Sequence, residues 1–69
     1  MLARINENAV KNSYAAYSLG ASRAERRGDY TEAEKLWNKA ASSPCGALHR
    51  RWALDRAAFC NRAILKGWK

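Results

Sequence analysis

Two short breaks cut this chain into three segments of helical length: Gly28-Asp29-Tyr30, and Ser42-Ser43-Pro44-Cys45-Gly46 around the single proline. Glycine stops a helix because it tolerates left-handed backbone; proline stops one because it lacks an N–H and collides with the preceding turn. The whole chain has one valine and two isoleucines among many alanines, a mixture that favours helix and leaves little to build a sheet with. The spacing predicts a single all-α domain over residues 1–69, a compact helical hairpin with a third helix packed on it. Its helices are expected at about 8–27, 31–42 and 47–66, with a polar N-terminal arm at 1–7 and a short tail at 67–69.

At roughly 100° per residue, Val10, Tyr14, Tyr17, Ala21 and Ala24 share one face of the first segment. Gly28 supplies its stop, and Arg26 and Arg27 suit a negative helix end. Thr31 is placed to cap the second helix, with Glu34 reaching back in a capping box, and the buried face reads Tyr30, Ala33, Leu36, Trp37 and Ala40. Along the third segment, Leu48, Trp52, Arg56, Phe59, Cys60 and Ala63 line one side and are expected to close the core.

A 69-residue chain buries only about 60% of the surface it exposes when unfolded, so its margin is thin and self-association or a partner would stabilise it. An enclosed catalytic pocket is hard to build at this size. The net charge of +7 attracts polyanions: nucleic acid, an anionic membrane surface or an acidic protein face. It is unevenly spread. Arg4, Lys11, Arg23, Arg26 and Arg27 outnumber Glu7 and Glu25 in the first segment, and six basic groups face only Asp55 after residue 43. The middle, with Lys35 and Lys39 against Asp29, Glu32 and Glu34, is slightly acidic. Two cysteines, neither in a C-x-x-C pair, read as free thiols of a reducing cytosol. The start lacks the apolar core of a signal peptide, and no run approaches the ~20 apolar residues of a membrane span. A cytoplasmic protein that does not enter a membrane is the expectation.

The run from Gly28 to Ala40 resembles the second half of a tetratricopeptide repeat, with Gly28, Tyr30, Ala33, Trp37 and Ala40 at the diagnostic spacings. No second copy follows about 34 residues on, so the motif reads as a hairpin rather than a solenoid. A wider pattern, Glu25-x2-Gly28-x-Tyr30-x2-Ala33-x3-Trp37-x2-Ala40 and then Trp52-x3-Arg56-x2-Phe59-Cys60, resembles the ANR family over residues 14–62. These are small bacterial negative regulators of AraC-type transcription activators. The resemblance implies a non-enzymatic regulator that binds such an activator, inhibits it and lowers virulence-gene expression, with a further link to the nucleoid-silencing proteins. The chain departs from the family in its longer polar arm before Ser13 and in the Gly67-Trp68-Lys69 tail.

Catalysis has little to stand on: one histidine, no phosphate-cradling glycine loop, and no carboxylate pair beyond ordinary helix spacing. Cys45 and His49 are four apart and Cys60 is the candidate third ligand, but a structural zinc takes four ligands, so no metal or cofactor is expected. Arg56, amid Trp52, Phe59 and Cys60, needs a carboxylate or an aromatic face, and Glu25 is the candidate partner; the other reading makes Arg56 a partner-binding residue. Leu54, Ala58 and Leu65 form a second apolar stripe flanked by Arg50, Arg51, Asn61 and Arg62, with Leu19 assigned to the same surface. That stripe is either core or a basic-rimmed interface for a partner or a second copy. The competing function is a small helix-turn-helix-like DNA-binding or nucleoid-associated protein, whose Arg50, Arg51, Asn61 and Arg62 would face the duplex. Against it, the groove-facing stripe would hold leucines, which leaves weak non-specific affinity for nucleic acid as the expectation.

Overall fold

The structure, a computed structural model, describes residues 2–67, with side chains described for residues 13–67. Three helices account for it: α1 (Leu2–Arg27), α2 (Tyr30–Ser42) and α3 (Ala47–Leu65). The predicted polar arm at 1–7 is instead the beginning of α1, which runs back to Leu2. Residues 2–7 contain neither glycine nor proline, so nothing in them breaks a helix. The Trp68-Lys69 end of the expected tail lies outside the described residues.

The first break is a helix stop followed at once by a helix start. Gly28 has φ 79°; its N–H donates to the Glu25 carbonyl at 2.9 Å, and the Asp29 N–H donates to the Ala24 carbonyl at 2.8 Å. This pair of bonds satisfies the last carbonyls of α1 and requires the left-handed residue between them. Asp29 then caps α2 by accepting the Glu32 N–H at 3.2 Å. Thr31 is therefore not the cap, and Glu34 closes no capping box; it accepts from Asn61 Nδ2 at 3.3 Å instead. The left-handed turn brings α2 in early, and the carboxylate next to it reaches the open N–H groups first.

α2 is the central element, packed against both α1 and α3. The core is mostly alanine: Ala21 and Ala24 from α1, Ala33, Ala40 and Ala41 from α2, and Ala53 and Ala57 from α3, around Trp37 and Cys60. Tyr14, Tyr17, Tyr30, Leu36 and Phe59 pack on its edge. Of the face expected of α3, Cys60 and Ala63 are buried and Phe59 packs on the edge of the core, while Leu48 and Trp52 stand outside it. The buried residues of α3 are Ala53, Ala57, Cys60 and Ala63, whereas Leu48 is 86% and Trp52 54% exposed. Small side chains let α3 lie close on the alanines of α2, and a close approach leaves no room between the axes for leucine or tryptophan.

Ala33 has no exposed surface, so Ala33→Leu is expected to destabilise the domain by about 1–3 kcal/mol through overpacking. Gly28→Val is expected to destabilise it as well, because a β-branched residue is strained at φ 79°. Thermal melts followed by circular dichroism check both; unchanged melting temperatures would remove the hairpin as the basis of the fold.

Candidate functional site

Glu25 of α1 stands between α2 and α3 and gathers donors from each. Trp37 Nε1 donates to its Oε2 at 2.6 Å, Arg56 Nε to the same oxygen at 3.2 Å, and Cys60 Sγ approaches it at 3.5 Å. A second Arg56 nitrogen donates to Oε1, making the ion pair two-pronged. The guanidinium also lies 4.4 Å from the Phe59 ring centroid and 5.7 Å from that of Trp52. Burial works to raise the Glu25 pKa, but the hydrogen bonds from Arg56 and Trp37, with the Arg56 charge, outweigh it and hold the carboxyl below its ordinary value. The hydrogen bond to Glu25 likewise raises Arg56. Burial and the neighbouring Glu25 charge push the Cys60 thiol up to about 12, which keeps it protonated and unreactive. The cluster is a clasp joining three helices, with its carboxylate oxygens occupied by structural donors.

Cys45 and His49 lie elsewhere, along an open groove beside the third helix. The groove encloses about 700 Å³, with Trp37 at its base, Tyr14, Ala15, Ser18, Leu19 and Ser22 from α1, Pro44 and Cys45 from the loop, and His49 and Trp52 from α3. Trp52 meets the Trp37 ring edge-on, with centroids 6.4 Å apart. At the other end the Tyr14 hydroxyl donates to the His49 carbonyl at 3.1 Å and the two rings are tilted, 5.1 Å apart. Burial, together with Cys45, raises the Tyr14 pKa. Among the described residues, no three His, Cys, Asp or Glu side chains converge as a metal site would need.

The predicted stripe is on the surface. Leu54 is 47% and Leu65 77% exposed, and Ala58 between them is exposed too. Of its basic border, Arg50 donates from Nε to the Ala41 carbonyl at 3.0 Å, capping the end of α2. Arg51 pairs with Asp55 at 3.5 Å on the helix surface, while Arg62 is exposed and in no ion pair among the described residues. Leu19 does not belong to this stripe. It lines the groove opposite Trp52, and Leu54 lies roughly 160° around α3 from Trp52. The groove was not anticipated from sequence; the signal available was a tryptophan and a leucine, Trp52 and Leu48, on a helix whose alanines could pack more closely.

The chain matches no protein-family model, no curated protein and no solved structure. Among the described residues, no helix is long and apolar enough to cross a membrane.

Proposed function

We propose that this chain is a non-enzymatic bacterial regulator that binds an AraC-type transcription activator in the cytoplasm and inhibits it, lowering virulence-gene expression. The sequence pattern from Glu25 to Cys60 supports the reading by its resemblance to the ANR family. The observation that carries the mode of action is the exposure of Leu54, Ala58 and Leu65 on one side of α3 while the alanine face of the same helix is buried against α2. An apolar stripe left in water by a small domain is characteristic of a surface made for a protein partner. Arg51 and Arg62 beside it supply a screened, steering charge rather than the bulk of the affinity. A duplex-binding helix would instead present its cations as a continuous strip, and here leucines interrupt them.

Leu54→Glu is expected to leave the helical circular-dichroism signal near wild type while abolishing capture of the activator and inhibition of activator-dependent transcription. Arg51→Glu combined with Arg62→Glu is expected to weaken capture more at low salt than at high salt. Collapse of the fold in Leu54→Glu would make the stripe a structural feature. Sequence-selective DNA binding that survives physiological salt would put the DNA-binding alternative in place of this one.

A further inference from the structure

The other flank of α3 also carries exposed apolar groups that the fold does not use. Leu48, in the first turn of the helix and 86% exposed, lies about 40° around α3 from Trp52, just outside the groove's own lining. Trp52, one turn further on, is 54% exposed and forms one wall, and Leu19 across the groove is 49% exposed. A knob and a hole therefore sit side by side on one face. That arrangement is self-complementary: under a two-fold axis, the knob of each copy meets the hole of the other.

Charge decides between a second copy and an acidic partner. The chain has thirteen lysines and arginines, yet none of the ten described groove-lining residues is Lys, Arg, Asp or Glu. A groove shaped for an acidic segment would hold cations among its lining. A like-charged copy, at +7, can come close only where charge is missing or paired, and the charges flanking Leu48 on α3, Arg51 and Asp55, are paired with each other. We infer that the groove between α1 and α3 is a self-association site, in which Leu48 of each copy enters the other's groove between Leu19 and Trp52. The described patch is smaller than the 20–30 residues a side of a standard interface, so the dimer is expected to be reversible and concentration-dependent. Because Leu54 lies on the far side of α3, the dimer keeps both stripes open, and the inference does not depend on what those stripes bind.

Analytical ultracentrifugation of the full chain over a concentration series, at about 50 mM and about 500 mM salt, tests it. Association is expected to strengthen at the higher salt, because salt screens the repulsion between two +7 copies; contacts with an acidic partner or nucleic acid weaken with salt. Leu48→Asp is expected to weaken association at least about tenfold. Its fold should be intact, because Leu48 is exposed and an acidic group suits the first turn of α3, which has none. Leu54→Asp, on the other flank, is expected to dimerise like wild type. A chain that stays monomeric across the series, association that weakens with salt, or a Leu54→Asp variant that dissociates as Leu48→Asp should would each overturn the assignment.

Discussion

Replacing Glu25 by alanine is expected to lower stability by about 3–5 kcal/mol, out of the roughly 3–10 kcal/mol a domain of this length commands. The size follows from what is stranded. Arg56, Trp37 Nε1 and Cys60 all point at the same carboxylate, and the Glu25 and Arg56 side chains are only 16% and 28% exposed. Removing the acceptor leaves a half-buried guanidinium and an indole N–H with nothing to donate to, which costs more than the net value of the bonds lost. For a domain of this size each kcal/mol shifts the melting temperature by about 4–8 °C, so a fall of at least about 12 °C is expected. Glu25→Gln, which keeps an acceptor oxygen but not the charge, should lie between the two. Acid supplies a second readout. Because the folded pKa of Glu25 lies below the ordinary 4.5, its contribution is complete above that pH and is lost as the pH falls through the folded value. Wild type is therefore expected to weaken below about pH 4.5, and Glu25→Gln to show a shallower acid loss over the same window. A Glu25→Ala protein as stable as wild type would mean that the clasp holds nothing together.

The Glu25–Arg56 pair is legible without coordinates because an arginine set among Trp52, Phe59 and Cys60 must find a carboxylate, and few carboxylates border an apolar face. The third donor, Trp37 Nε1, is not legible, since an indole on an apolar stripe gives no hint of where its N–H points. Helix count, the buried face of α2 and that of α1 from Tyr14 onward follow from Gly28, Pro44 and the spacing of Tyr14, Ala21, Ala33 and Trp37; the side chain of Val10, expected on the same α1 face, lies outside the described residues. The orientation of α3 does not follow, and the reason is physical. Hydrophobic size marks Leu48 and Trp52 as core, whereas an interface already built from Ala33, Ala40 and Ala41 selects for close approach and so for Ala53 and Ala57. The position of Leu19 fails for a related reason. It lies opposite the α1 core face, roughly 160° around the helix from Ala21, and only the packing of α1 and α3 onto α2 decides which flank of the third helix it meets. The groove itself is assembled from α1, α2, the Pro44 loop and α3, so no local period announces it.

Trp37→Ala is expected to cost about 3–5 kcal/mol, comparable to the loss of Glu25 but by a different route. Trp37 is 3% exposed and, among the described residues, is the one large buried side chain in a core otherwise made of alanine and cysteine. Its partners in the core are alanines and Cys60, whose short side chains cannot reach into the space an indole leaves. The same residue forms the base of the groove and the edge-on wall for Trp52, so its loss should also release Trp52. Trp37→Phe separates packing from hydrogen bonding. It keeps an aromatic base for the groove and removes the donor to Glu25, which Arg56 and Cys60 still satisfy, so about 1–2 kcal/mol is expected, with self-association retained. Denaturant melts of the two variants give the comparison, with ultracentrifugation of Trp37→Phe reporting on the groove. If Trp37→Ala melted within a few degrees of wild type, α2 would not be the element on which the other helices depend. If Trp37→Phe lost as much stability as Trp37→Ala, the N–H bond to Glu25 rather than the volume of the ring would be what the core requires.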